Sequence, residues 1–345
     1  MERTRTALVL GATGGIGGEV AATLLRHGWA VRALHRDPAE VARRDAAGGI
    51  AWLPGDAMRP ADVVGAANGV ELIVHAVNPP GYRKWAELVL PMLESSIAAA
   101  RASGARILLP GTIYNYGPDA FPVLTESSPQ HPRTRKGAIR VEMERRLRAA
   151  SDTGVRALIV RAGDFFGPTA KNNWFSQGLV KPGRPVRSVA TPGRPGIGHA
   201  WAFLPDLAEA MARLAERDAA GVFETFHFAG HWDPDGAAMA AAISRAAGLP
   251  RLRARRFPWA LVMAASPLVP TFHEMLEMRY LWREPIRLDN SHLLGVLGAE
   301  PHTPLDVAVR RTLTGLGCLS EPGSDNRSRT SATAPPRRTP APARP

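Results

Sequence analysis

The sequence predicts an α/β fold built on a doubly wound parallel sheet, with a small C-terminal lobe and an unstructured tail. Short apolar runs alternate with helix-periodic segments at the spacing of βαβ units. A glycine turn, Gly11, Gly14 and Gly17, joins the first run to the first helix. From about residue 320 onward apolar periodicity vanishes, and Pro, Arg, Ser, Thr and Ala dominate.

The elements follow in order. Residues 6–10 read as a strand and 19–25 as part of a helix, then 30–34 as a second strand ending in His35-Arg36-Asp37-Pro38. A helix over 39–47, a short strand over 50–53 with Gly55-Asp56 after it, and a helix near 61–67 come next. Residues 72–76 form a strand, roughly 82–103 a long helix, 106–109 a strand, 138–150 a helix and 155–160 a strand. The expected organisation is an α/β core over 1–168, then 169–318 interleaving remaining core elements with a smaller lobe, then a disordered tail over 319–345.

Bulk properties narrow the function. The 345 residues are 45% hydrophobic and 21% charged, as in a globular protein of one large domain or two modest ones. The single cysteine, Cys318, excludes an internal disulfide framework and fits a reducing cytoplasm. No basic, apolar and cleavage regions precede Thr6, so no secretory signal is expected. The longest apolar stretch, 257–272, is interrupted by Pro258, Pro267 and Pro270 and is too short to span a bilayer. The net charge of +12 includes +3 from the tail, and lysine occurs only four times. Arg is dispersed among Ala, Gly and Pro, without aromatic interleaving or zinc spacing, so neither nucleic acid nor membrane is an expected partner.

The glycine turn carries the first chemical expectation. Strand, glycine loop and helix is the order a dinucleotide site needs. The first Gly turns the backbone, the second lets it approach the pyrophosphate, and the third lets helix and strand pack closely. N–H groups at the helix start then face the phosphates. A plain tight turn would use the same glycines. At the end of the second strand, NAD-specific sites keep an acid for the ribose 2′-OH. Here His35 and Arg36 stand there, and Arg36 can pair with a 2′-phosphate, which favours NADP(H) while leaving NAD open. Arg36 as a solvated loop residue is the alternative. Asp56 can reach the adenine amino group, or simply cap its turn.

Several further segments, taken with the glycine loop, resemble the extended short-chain dehydrogenase/reductase superfamily, which contains nucleotide-sugar epimerases and dehydratases. They are Val74-His75-Ala76 on the fourth strand, Gly111-Thr112-Ile113-Tyr114-Asn115-Tyr116-Gly117 on the fifth, and Arg161 through Gly167-Pro168 after the sixth. The last is Ala202-Phe203-Leu204-Pro205-Asp206, a later strand-to-helix junction. The likeness covers roughly residues 6–318 and implies a Rossmann-type core. It also implies a cofactor site of Gly11, Thr13, Gly14, Gly15, Ile16, Gly17, His35, Arg36, Asp56, Ala76 and Val77. Thr112 takes the family's hydroxyl position, from which it can donate to a substrate carbonyl oxygen; a strand-end Thr satisfying its own backbone is the alternative. A homodimer through the helices near 82–103 and 138–150 is a further implication.

One departure matters most. The family sets a Tyr and a Lys four residues apart on the helix after the fifth strand. Matching the apolar stripe Ile139, Met143, Leu147 and Glu144 puts Lys136 at the Tyr position and Arg140 at the Lys position. Arg140 can donate to ribose hydroxyls but, always charged, cannot relay protons. Lys136 is expected either to donate a proton near the nicotinamide or to anchor an anionic substrate; both residues as solvated helix charges is the alternative. Glu142 and Glu144 read as surface charges.

On the substrate side, residues 172–201 offer Lys181, Arg184, Arg187 and Arg194 for an acidic or phosphorylated ligand. Residues 257–282 offer an aromatic pocket wall or the lobe's own core, and His273-Glu274 gives no metal ligand set. The leading expectation is an NADP(H)-binding oxidoreductase acting on a carbonyl/alcohol centre of a small molecule. The alternatives are a non-catalytic NADP(H)-sensing regulator and a nucleotide-sugar epimerase or dehydratase.

Overall fold

The computed structural model describes residues 4–44, 48–79, 85–170, 173–217, 221–250 and 252–319. The expected tail therefore lies outside the described residues from 320 on, as does the start of the helix expected near 82.

The first half alternates as expected: β1 (Thr6–Leu10), α1 (Gly15–Arg26), β2 (Ala30–His35), α2 (Pro38–Arg44), β3 (Ile50–Pro54), α3 (Pro60–Ala66), β4 (Leu72–His75), α4 (Trp85–Ser103) and β5 (Arg106–Thr112). Then come β6 (Val123–Leu124), α5 (Arg135–Ser151), β7 (Ala157–Ala162), β8 (Asp164–Phe166), β9 (Ser188–Thr191), β10 (His199–Phe203), α6 (Leu204–Ala215) and β11 (Phe223–Phe228). The chain ends with β12 (His231–Asp233), α7 (Ala238–Ala246), β13 (Arg253–Arg256), α8 (Trp259–Ala265), α9 (Pro270–Glu277), β14 (Arg287–Leu288), α10 (Ser291–Leu297) and α11 (Leu305–Gly315).

Seven strands form one parallel sheet in the order β3-β2-β1-β4-β5-β7-β11. The strand order reverses between β1 and β4, and in open parallel sheets of this kind ligands bind outside the carboxyl ends of the strands at such a point. Both faces are covered, so alternate residues of each strand enter different cores. Ala7 and Val9 join α1 and α6 on one face, while Leu8 and Leu10 join α3, α4 and α5 on the other.

β5 runs on past Leu109 through Pro110, Gly111 and Thr112. Proline in a central strand normally breaks a ladder. Here β4 pairs β5 only as far as Leu108, and the Pro110 carbonyl accepts from Arg140 Nη1 at 3.4 Å. The missing N–H therefore interrupts no strand pair.

The second half builds the lobe. β8, β10 and β12 form a three-stranded sheet, β9 pairs β13, and β6 pairs β14. Its core holds Phe166, Phe175, Trp201, Phe203, Met239 and Trp282. The aromatic segment before residue 283 thus supplies core. No helix among the described residues is long and apolar enough to cross a membrane.

Candidate active site

Gly11 follows β1 directly with φ +89°, a conformation that favours glycine. A Cβ there would stand 2.6 Å from the Ala76 carbonyl oxygen and 2.9 Å from the Val77 nitrogen. The loop after β4 therefore crosses directly against the loop after β1. At Gly17 a Cβ would meet the Gly11 carbonyl oxygen at 2.2 Å, the close helix–strand contact expected of the third glycine. Gly14 N–H donates to the Gly11 carbonyl at 2.9 Å, closing the turn. No side chain caps the start of α1, and Thr13 and Gly14 are exposed. The loop is thus a backbone cradle at a helix N-terminus, the arrangement a pyrophosphate needs.

At the end of β2, His35 Nδ1 accepts from the Asp37 N–H at 3.0 Å, while Arg36 is exposed. Asp37, the nearest acid, caps α2 by accepting the Glu40 N–H at 3.0 Å. Asp56 Oδ1 accepts the Met58 N–H at 3.0 Å, so it does cap its turn.

Thr112, Lys136 and Arg140 gather around the end of β5. The Thr112 hydroxyl donates to Asn115 Oδ1 at 3.3 Å and accepts the Tyr114 N–H at 3.3 Å. α5 starts on Thr134, whose hydroxyl accepts the Gly137 N–H at 2.9 Å. Lys136 in its first turn is buried, and its backbone N–H donates to Glu277 Oε1 at 3.3 Å. One turn on, the Arg140 guanidinium lies 5.3 Å from the Trp85 ring centroid. Burial, reinforced by the Arg140 charge, pushes the His75 imidazole down to about 3.

Glu144 corrects the sequence reading. It is buried, not a surface charge, and takes a two-pronged hydrogen bond from Arg161: Nε to Oε1 at 3.0 Å and Nη2 to Oε2 at 2.6 Å. Glu142, two residues earlier, does pair at the surface with Arg145 and Arg146. Gln130 Nε2 donates to Glu144 Oε2 at 2.9 Å, and Asn115 Nδ2 donates to Gln130 Oε1 at 3.4 Å. A hydrogen-bonded chain therefore joins Thr112 to the ion pair. On its far side Arg161 Nη1 donates to the Tyr116 hydroxyl at 2.7 Å, and Tyr116 pairs with His227 Nε2 at 2.8 Å. Burial and the Arg161 charge hold His227 down to about 3, so the neutral ring accepts from Tyr116 and donates through Nδ1 to the Leu124 carbonyl. Tyr116 is fully buried, and that burial raises its hydroxyl well above the ordinary phenol value.

A second buried pair lies past the end of β7. His199 Nε2 meets Asp164 Oδ2 at 2.8 Å, and the imidazole stacks on Trp282 at 3.8 Å between centroids. Asp164 sat inside a motif the sequence displayed, but its partner is 35 positions away, and only the fold reveals it. Lys181, Arg184, Arg187 and Arg194, the cations read as a ligand cradle, are all exposed. Among the described residues no cluster of His, Cys, Asp or Glu could hold a metal ion.

Residues 11–176 match a family model described as NAD(P)H-binding. Among curated proteins none matches the chain. Among solved structures it is similar to UDP-glucose 4-epimerase from Bifidobacterium longum in complex with NAD+ and UDP, at 16% identity and TM-score 0.67, covering 91% of this chain and 97% of that one. A double mutant of a dTDP-glucose 4,6-dehydratase from Streptomyces venezuelae with NAD bound gives 18% identity and TM-score 0.66, over 90% and 96%. UDP-N-acetylglucosamine 4-epimerase from Bacillus cereus gives 15% and 0.66, over 92% and 98%. Residues 11–176 are thus similar to an NAD(P)H-binding family, and the whole chain shares the fold of these epimerases and this dehydratase.

Proposed function

We propose that the chain is an NADP(H)-dependent oxidoreductase acting on a carbonyl/alcohol centre of a small molecule. The observation that carries this reading is the glycine cradle locked against Ala76 and Val77 at the switch point of the sheet. Thr13 to Gly17 would hold the pyrophosphate, Asp56 the adenine side, and Ala76 and Val77 the far half. His35 and Arg36 would take a 2′-phosphate, since the acid beside them is spent on capping α2. When bound, the cofactor supplies or accepts the hydride. Arg140, fixed at the end of β5, donates to the ribose. Lys136 holds or moves the proton at the substrate oxygen, and Thr112 steadies that oxygen once its hydroxyl turns from Asn115.

One observation favours a second reading, a regulator that binds NADP(H) without turnover: the Thr112 hydroxyl is engaged within its own turn. The family alignment, which puts Lys136 and Arg140 at the Tyr and Lys positions, supports it. A panel of small ketones and aldehydes with NADPH, followed by absorbance, separates the two. Oxidation of NADPH that Lys136→Met lowers at least tenfold supports the enzyme and the role of Lys136. Tight NADPH binding with no turnover across the panel supports the regulator. The neighbours' nucleotide-sugar chemistry is a third reading, which UDP-glucose turnover would establish.

A further inference from the structure

Charge is not spread evenly over the folded chain. Residues 165–205 hold five Lys or Arg and no Asp or Glu, and residues 246–273 hold four Arg and again no acid. The fold joins these two acid-free segments, because β13 pairs with β9 and sets Arg253 in register with Ser188. Arg184 and Arg187, just before β9, are exposed, and so are Arg253, Arg255 and Arg256 on β13. Among the described residues no ion pair involves the three β13 arginines. Arg is dispersed along the chain as a whole, but this strand pair gathers it at one place in the lobe.

β13 runs through Phe257 and Pro258 straight into α8, whose inner side is pinned. The Phe257 N–H donates to the Thr191 carbonyl at 3.1 Å, the Trp259 indole donates to the Pro192 carbonyl at 2.8 Å, and Val262 is buried. Arg279 adds a further cation at its foot, 5.0 Å from the Trp259 ring centroid. The outer side carries apolar side chains in the open: Leu261, Met263 and Leu268 are 65%, 55% and 86% exposed. The Leu268 and Val269 N–H groups both donate to the Ala265 carbonyl, at 3.1 and 3.0 Å, so the helical path continues past α8. A single exposed leucine is ordinary. Three large apolar side chains on one turn-rich segment, beside an unpaired basic strand, mark an interaction surface.

Charge chooses its occupant. The tail from residue 320 on has five Arg against Glu321 and Asp325, so this surface repels it. A second copy docking here across a two-fold axis would set Arg253, Arg255 and Arg256 against the same arginines. An anionic bilayer matches both halves, since its headgroups take the arginines and its acyl boundary takes a protruding apolar turn. The prominence of Leu268 suits a bilayer, which needs no matching pocket.

We propose that the β13–α8 segment seats the protein on an anionic membrane surface, with Leu261, Met263 and Leu268 entering the acyl boundary and the β13 arginines meeting the headgroups. The contact is peripheral, and it does not depend on which reaction the chain performs.

The full chain is sedimented with vesicles of phosphatidylcholine alone and with vesicles containing about one-third phosphatidylserine. It is expected to partition at least tenfold more strongly onto the anionic vesicles, and to be released as salt rises from about 0.1 to about 0.5 M. Leu261→Ser combined with Leu268→Ser should weaken partition at least tenfold. Arg253→Ala, Arg255→Ala and Arg256→Ala together should weaken it about a hundredfold, roughly fivefold for each arginine. All five side chains are exposed, so thermal melts should stay unchanged. Arg43→Ala, Arg101→Ala and Arg310→Ala together remove the same charge elsewhere on the surface and should change partition by less than about threefold. Absence of binding to the anionic vesicles overturns the proposal, as does equally strong partition onto the neutral ones. So does an equal loss in the two arginine triples, or partition unmoved by the leucine pair. A dimer that the leucine pair dissociates, without vesicle binding, gives the face to a second copy and overturns the proposal as well.

Discussion

Arg161 and Glu144 face each other across the α5–β7 interface through two hydrogen bonds of 3.0 and 2.6 Å, with side chains only 3% and 8% exposed. Such a pair is no large source of net stability, because each charge has lost its water. Removing one partner is a different matter. Glu144→Ala or Arg161→Ala leaves a lone buried charge and should cost about 3–5 kcal/mol in urea unfolding. Glu144→Leu combined with Arg161→Met should recover much of that loss.

The buried histidines set an acid limit. His75 and His227 are pushed down to about 3, and His231 to about 4 by burial and its neighbour His302, from 6.5. All three stay neutral in the folded chain while the unfolded chain takes up protons. Their contribution is therefore complete above about pH 6.5 and is lost as pH falls from there toward 4. Each costs about 1.4 kcal/mol per pH unit within that window. His27 opposes this: burial lowers it, but Glu209 and Glu216 outweigh burial and raise it on balance. Urea midpoints at pH 7, 6 and 5 should fall steeply, and His227→Gln should flatten the slope by about one proton.

Glycines separate by what a methyl group would meet. Gly17→Ala drives a Cβ to 2.2 Å from the Gly11 carbonyl oxygen, so it should destabilise by about 1–3 kcal/mol and weaken NADPH at least tenfold. Gly65, exposed in α3, has nothing within 4 Å of a Cβ. Gly65→Ala should raise stability by about 0.4–1 kcal/mol. Thermal melts with and without NADPH check both.

Arg36 is the cofactor discriminator under the proposed function. Arg36→Ala should reduce the preference for NADPH over NADH by about 10–100-fold, the worth of a charged hydrogen bond. Equal affinities for the two cofactors in the wild type, unchanged in the variant, would remove the 2′-phosphate assignment.

Much of the fold was legible because its signals are local. Every strand read through residue 160 lies in the sheet, since runs such as Leu8-Val9-Leu10 are buried on both faces and need no alternation. β5 runs three residues beyond the strand read over 106–109, and the early stop of β4 makes Pro110 harmless there. Glu144 was misread because periodicity marks the buried stripe of Ile139, Met143 and Leu147 but cannot show that Arg161 waits opposite. The glycine cradle was visible as a motif, whereas the His199–Asp164 pair depends on separate segments meeting. Contacts of that kind leave no trace in spacing.

Gly15, at the first turn of α1, leans on two residues far from it in sequence: a Cβ there would stand 3.3 Å from both Ala170 Cα and Leu204 Cδ1. Leu204 opens α6, which packs with α1 on one face of the sheet. The glycine-loop end of the molecule is therefore not modular. A fragment ending at residue 176 keeps the loop's glycines and Ala170 but forfeits Leu204 and α6, so grafting or swapping this half should succeed only when α6 travels with it.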